Sequence, residues 1–511
     1  MLNLIKEYKM MKAFKIFSMA AVAFMMVACS SEDTALDNTP IAGQKVHFTA
    51  TIAAPGSDAL TRTTYTEITS GTDAGKIKVA WEQGDEIALI HNGKKDVVTV
   101  QTLNADGSAN ISGDITVGTD GEAVTIVYPA ASVNAPTSGA EPVEDATYAT
   151  KWNSQDGTLT YIQDNLDFCR ATSTLKVSGT KATLNDNISM GSTIAIFKFT
   201  IQDLGGTAKD ATEFKVSDAS GNVITTVTPG SATGTLYVAL PVLAVGTYWF
   251  KATVGGNPYI AKATVATATT AGNYYQTTVK MATVGNIIGA DGKFYANKAA
   301  VDAAGKTGAA MIVYLGSDGE TNATYNHGLA IALTDASTYA KWGTENADAG
   351  LTKYTHWCHD DDDASTDMAG IANTAALITL YSGNADYEAA NAVSGYSVAG
   401  FTPGNHGFSG WFLPSAGQWY KFLTGMCGLA WTGGWATGTA SDNFNKVKAK
   451  FIAAGYDTND AKFESGDWYW SSSEFSLDSA WNVCFSSNTG VYVGGSSKDG
   501  VHDKVRCFLA F

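Results

Sequence analysis

The feature that most constrains this chain is a period-two alternation of apolar and polar residues, repeated through its first half. It is plain in Val46-His47-Phe48-Thr49-Ala50-Thr51-Ile52, Ile77-Lys78-Val79-Ala80-Trp81 and Ile194-Ala195-Ile196-Phe197-Lys198-Phe199-Thr200-Ile201. It returns in Thr235-Leu236-Tyr237-Val238-Ala239-Leu240, Tyr248-Trp249-Phe250-Lys251-Ala252-Thr253-Val254 and Tyr274-Tyr275-Gln276-Thr277-Thr278-Val279-Lys280. Successive side chains on a strand point to opposite faces, so each run predicts a strand buried on one side. Gly, Asn, Asp and Pro punctuate the runs, which predicts antiparallel strands packed as sandwiches. The 511 residues suffice for two to four domains. Apolar residues at 45% and charged residues at 16% exclude a disordered chain.

Composition changes partway along. Nine of the twelve tryptophans and four of the six cysteines follow residue 284, whereas eight of the ten prolines precede it. A boundary is therefore placed at Gly285-Asn286, just beyond the last alternating run. Residues 44–283 are long enough for two β-domains, divided at 165/166. Residues 284–511 mix strands with helix-like segments at Ala299 to Ala304, Ala416 to Gly425 and Asn443 to Ala454, where Phe444, Val447 and Phe451 stand at helical spacing. That part reads α+β.

The N-terminus is a targeting segment rather than part of the fold. Lys12 and Lys15 precede an apolar stretch from Met19 to Ala28, too short for a stop-transfer helix, so residues 1–28 read as a secretory signal with Met11 as its natural start. Met26-Val27-Ala28-Cys29 resembles a bacterial lipobox, which implies lipidation of Cys29 and a membrane anchor made of acyl chains. Residues 29–43 form the linker, and its Ser30-Ser31-Glu32-Asp33 resembles the surface-export signal of Bacteroidota lipoproteins. A net charge of -16 disfavours nucleic acid as a partner. Setting Cys29 aside leaves five cysteines, an odd number. Cys484 and Cys507 sit in alternating runs and form either a disulfide between neighbouring strands or two small buried thiols.

Two family resemblances enter here. Leu60-Thr61-Arg62-Thr63-Thr64-Tyr65, then Trp81-Glu82-Gln83-Gly84-Asp85-Glu86-Ile87, then Leu236-Tyr237-Val238-Ala239-Leu240-Pro241 before Ala271-Gly272-Asn273-Tyr274-Tyr275, resemble in their order the fimbrillins, lipoprotein subunits of Bacteroidota type V fimbriae. The resemblance covers residues 40–283. It implies two transthyretin-like β-sandwich domains, other fimbrial subunits as partners, and a location at the outer-membrane surface or in the fimbrium. It also implies cleavage by an Arg-specific protease after Arg62, giving a mature start at Thr63. The released strand Val46–Ile52 would leave a groove for a strand donated by the next subunit. The other reading of Arg62 is an exposed loop residue, with Val46–Ile52 an ordinary edge strand.

The second resemblance covers residues 284–511. It rests on Gly410-Trp411-Phe412-Leu413-Pro414-Ser415-Ala416-Gly417-Gln418-Trp419, Tyr469-Trp470-Ser471-Ser472-Ser473-Glu474, Ala480-Trp481-Asn482-Val483-Cys484-Phe485 and the run from Lys504 to Phe511. These look like a domain of bacterial surface proteins related to the formylglycine-generating-enzyme and C-type-lectin-like folds. Their aromatics alternate with Ser, Asn and Arg, which predicts core packing in a twisted sheet and allows an ion pair between Glu474 and Arg506.

Catalytic signatures are missing: there is no HExxH, GxSxG, P-loop or dinucleotide Gly motif, so a non-enzyme with no cofactor is expected. Cys484 and Cys507 lie too far apart for the paired cysteines of the formylglycine-generating enzymes. Trp481-Asn482-Val483 lacks the Asp of calcium-dependent sugar-binding lectins. The densest polar cluster, His356-Trp357-Cys358-His359-Asp360-Asp361-Asp362-Asp363, offers Asp360 and Asp362 as weak cation ligands, but it lacks a calcium-loop glycine, and a solvated acidic loop is the simpler reading. Among Trp411, Trp419, Trp431, Trp435 and Trp468, the Gly-rich setting of Trp431 and Trp435 makes those two the candidate platform for a host or bacterial glycan or protein ligand. The reading is a mainly β surface lipoprotein, a minor or tip fimbrial subunit whose closed C-terminal domain adheres. The alternative is a non-polymerising lipoprotein that captures glycans.

Overall fold

The computed structural model describes residues 43–54, 65–71, 74–78, 80–116, 118–357, 363–456 and 463–511. Cys29, Arg62, Thr63, Asp360 and Asp362 lie outside them. The fold is mainly β, with 41% of residues in strands against 17% in helices, the class expected from the alternation.

The first unit is an eight-stranded sheet, seven strands of which close into a ring. Its opening strand, Lys45–Ile52, runs antiparallel to Ala109–Thr116 from Lys45↔Thr116 to Ile52↔Ala109. On its other side it pairs in parallel with Lys181–Leu184, through His47↔Lys181 and Phe48↔Ala182. The Lys181–Leu184 strand also pairs with Cys169–Ser178 and so closes the ring of strands. Lys45–Ile52 is therefore flanked on both sides rather than an edge strand. Val46, Phe48 and Ile52 point into a core built with Trp81, Leu89, Ile111 and Ile126, as their alternate spacing requires.

The strands Cys169–Ser178, Lys181–Leu184 and Gly191–Ser192 complete this first sheet, so the division at 165/166 falls inside it. The reason is topological. The helix Leu159–Leu166 leaves the first sheet to cover the second unit, with Ile162 and Leu166 packed against Ile194, Ile196 and Ala239, and the chain then returns. Gln155 binds the Thr235–Leu240 strand, accepting from Ala239 N at 2.8 Å and donating to Ala239 O at 2.9 Å.

The second unit packs a three-stranded sheet (Thr235–Leu240, Ala195–Asp203, Tyr274–Met281) against a four-stranded one (Val223–Val227, Ala211–Ser217, Gly246–Val254, Asn257–Val265). Phe197, Phe199, Phe214 and Phe250 fill the space between. A short segment from Tyr65 clamps onto this unit. Glu67 accepts from Lys198 Nζ at 2.7 Å, Tyr237 Oη at 2.5 Å and Tyr274 Oη at 3.0 Å. Burial opposes the charge of Glu67, but these donors outweigh it and hold the carboxyl below its ordinary range.

The C-terminal unit contains a five-stranded and a seven-stranded sheet with helices packed around them. Helices Lys298–Ala303, Ala416–Lys421 and Ala440–Ala453 fall where helix-like segments were expected. Helix Gly370–Tyr381 was not foreseen: its Ile- and Thr-containing sequence shows no polar stripe, and packing decides its state. The pair Glu474–Arg506 is not formed. Arg506 binds Asp335 at 2.6 Å, and Glu474 binds Lys498 at 2.5 Å. Cys427, Cys484 and Cys507 are buried free thiols, so Cys484 and Cys507 are not bridged. Among the described residues, no helix is long and apolar enough to cross a membrane.

Candidate ligand-binding surface

The seven-stranded sheet places side chains from four strands in one row. Register pairs Trp468 with Cys484, Cys484 with Tyr492, and Tyr492 with Trp435. Directly opposed residues share a face. The alternate residues Tyr469, Val483, Phe485, Val491 and Val493 face the core instead. The rings of Trp435 and Tyr492 lie 4.3 Å apart at 36°, and Trp468 meets Tyr492 edge-on at 6.1 Å across the small Cys484 side chain. Burial pushes the Cys484 thiol up to about 11, so it stays protonated and unreactive at neutral pH.

Glycines shape this surface. A Cβ on Gly434 would lie 2.3 Å from Val493 O, so only glycine lets the Trp431–Thr432/Trp435–Ala436 hairpin seat against the neighbouring strand. A Cβ on Gly494 would sit 2.2 Å from the Tyr492 hydroxyl, so the ring of Tyr492 lies along its own strand over Gly494. Beside the row is a buried polar pair, in which Asn482 Nδ2 donates to Asp503 Oδ2 at 2.6 Å and to Ser496 Oγ at 2.8 Å. Burial raises the Asp503 carboxyl to about 6, against the hydrogen bond from Asn482 that favours its charge.

The two candidate tryptophans of this hairpin do different things. Trp435 is 49% exposed and, among the described residues, is the one tryptophan so open to solvent. Trp431 is half-buried: its ring meets Trp357 edge-on at 5.6 Å, and its Nε1 donates to Thr424 Oγ1 at 3.0 Å. Of the two residues expected to form the platform, Trp431 instead plugs the helix-facing side of the hairpin. Trp419 is a core residue among Phe422, Tyr469, Phe485 and Phe508, and Trp411 packs on Tyr396 and Phe401. Tyr492 was missed from sequence, because only the strand register brings it between Trp435 and Trp468.

Trp435→Ala should leave stability within about 0.5 kcal/mol, whereas Trp431→Ala should cost about 1–3 kcal/mol, as denaturant titration would read. On a glycan array, Trp435→Ala should abolish any binding made through the row. Unchanged binding would remove the row as the contact.

In the acidic segment, residues 358–362 lie outside the described residues. Asp363 turns inward, its Oδ1 accepting from Ser365 N at 2.7 Å as the cap of a short helix, and Trp357 is a core residue. Among the described residues, no group of three or more His, Cys, Asp or Glu side chains is placed to hold a metal.

No family model matches the chain, and no curated protein matches it. Solved structures with some likeness include a fimbrial protein from Bacteroides ovatus ATCC 8483, at 14% identity and a TM-score of 0.32, covering 92% of this chain and 99% of that one. A candidate cell adhesion protein from the same strain is 12% identical with a TM-score of 0.28, covering 48% of this chain and 96% of that one. The shaft pilin SpaA from Lactobacillus rhamnosus GG is 10% identical with a TM-score of 0.21, covering 47% and 99%.

Proposed function

We propose that this chain is a surface-exposed fimbrial subunit that joins its neighbour by strand exchange and presents its C-terminal unit as the adhesive end. The observation that carries this is the place of the Lys45–Ile52 strand, held between Ala109–Thr116 and Lys181–Leu184 with Val46, Phe48 and Ile52 in the core. Removing it would bare unpaired backbone groups on two neighbouring strands above an apolar trough, the template that an incoming strand needs. Cleavage after Arg62 would detach that strand without freeing the chain that follows. Tyr65 Oη donates to Asp167 at 2.7 Å, and Glu67 stays bound to Lys198, Tyr237 and Tyr274.

In this reading Cys29 carries the acyl anchor that brings the precursor to the outer-membrane surface. The partners are other fimbrial subunits, and the row Trp435–Tyr492–Trp468 meets a glycan or protein ligand. Sequencing the N-terminus of protein taken from cell surfaces tests it. A start at Thr63 in high-mass fibres is the expected result. A lipid-modified Cys29 on monomer alone would overturn strand exchange and favour the non-polymerising glycan-capturing lipoprotein.

A further inference from the structure

A cavity of about 690 Å³ opens where the second unit meets the C-terminal one. Its floor is the outer face of the Gly246–Val254 and Asn257–Val265 pair. Register places Thr247 opposite Thr264 and Trp249 opposite Lys262 on that face. Trp249 is sealed under the C-terminal unit in a core with Ile288, Phe408 and Phe511. Lys262 stands at the margin of that seal, and Lys280 and Lys293 complete a lining of three lysines. His406 forms part of the opposite wall. It approaches so closely that a Cβ on Gly292, whose φ is +74°, would lie 2.4 Å from its Cγ.

The charge of this cavity is unlike that of the molecule. A chain with net charge -16 lines it with three lysines and no acidic residue. Lys293 has Asp291 at the limit of ion pairing, 4.0 Å. Among the described residues, Lys262 and Lys280 have no carboxylate within 4.0 Å. Lys262 is half-buried. Its Nζ donates to His406 O at 2.5 Å and lies 5.1 Å from the Trp249 ring and 5.5 Å from the Phe408 ring. Burial lowers its pKa from the ordinary lysine range, the mark of an ammonium taken from water without a counter-charge. A fixed cation of this kind is stabilised by whatever anion arrives. Thr247, Thr264 and Asn405 supply hydroxyl and amide groups for sugar hydroxyls, and Tyr295 also lines the cavity. The volume suits a ligand of a few sugar units.

The geometry points to this cavity as a binding site for an anionic oligosaccharide, its carboxylate or sulfate groups held by Lys262, Lys280 and Lys293. It shares no residue with the aromatic row and stands apart from strand exchange. Calorimetric titration of the full chain tests it with three probes: a heparin-derived oligosaccharide, an oligogalacturonate of equal length and a neutral malto-oligosaccharide. At least one anionic probe should bind and the neutral one should not; the stronger anionic probe then assigns sulfate or carboxylate as the recognised group. Lys280→Glu, an exposed change, should weaken that binding about tenfold or more, and Lys293→Glu should act in the same direction. Lys176→Glu makes the same charge change on the first unit and should alter binding by less than about twofold at physiological salt. Absence of binding to both anionic probes would overturn the assignment. So would equal binding of the neutral probe, or unchanged affinity in Lys280→Glu and Lys293→Glu.

Discussion

Phe48→Ala should lower the stability of the first unit by about 3–5 kcal/mol, read from its urea midpoint. Phe48 is fully buried between sheet faces, and both neighbouring strands are pinned to its backbone, so the vacated space has little freedom to collapse. The stronger form of the experiment removes the whole strand. A chain beginning at Thr63 should expose apolar surface that binds a hydrophobic dye. A synthetic peptide of residues 44–54 added in trans should restore the native signal. The same peptide carrying Phe48→Asp should not, because it would bury a carboxylate with no partner. If the shortened chain is as stable as the longer one, or ignores the peptide, the strand is dispensable and strand exchange loses its structural basis.

The second large effect is expected far from that seam, at Lys498. This lysine and Glu474 are both fully buried. The ammonium spends its three donors on Glu474 Oε1 at 2.5 Å, Ala347 O at 2.8 Å and Leu477 O at 2.8 Å. It also lies 5.2 Å from the Trp342 ring. Lys498→Met keeps the unbranched apolar stem, one atom shorter, but leaves the buried carboxylate without its counter-charge and two carbonyl oxygens without a donor, and should cost about 3–5 kcal/mol. The second carboxylate oxygen lies 3.5 Å from Lys353, which is partly exposed and too distant to replace the lost contact. Adding Glu474→Gln to Lys498→Met should recover much of the loss, since the buried charge goes with it. A double-mutant cycle that shows simple additivity would mean that the two groups do not act as a pair.

The sequence carried some of this plainly and the rest not at all. Alternation located the runs that became Lys45–Ile52, Ala195–Asp203, Thr235–Leu240, Gly246–Val254 and Tyr274–Met281, because a half-buried strand writes its pleat into the order of residues. Alternation does not say which strands become neighbours. Hence Lys45–Ile52 could be taken for an edge strand, and the first sheet's return through Cys169–Ser178 and Lys181–Leu184 was cut by a division based on length. Pairing of charges failed for the same reason. Glu474 lies on a strand and Arg506 in the link between the strands Asp503–Val505 and Phe508–Ala510 of the same unit, yet Asp335 reaches Arg506 and Lys498 reaches Glu474. The aromatic row was half legible. Gly433 and Gly434 marked a Gly-rich setting from which Trp435 could be picked, but the hairpin itself and the joining of Tyr492 and Trp468 come only through register. Trp431 looked equivalent to Trp435 because a two-residue strand gives no lasting alternation to separate inside from outside.

The register of the first strand also bears on mechanics. Its rungs to Ala109–Thr116 run from one end of the strand to the other, perpendicular to its axis. A pull along that axis loads every rung at the same moment, in shear, and none can fail ahead of its neighbours. A pull from one end across the sheet would instead open them singly, like a zipper. Whatever segment occupies this slot, the sheet resists traction along its length far better than peeling from its end.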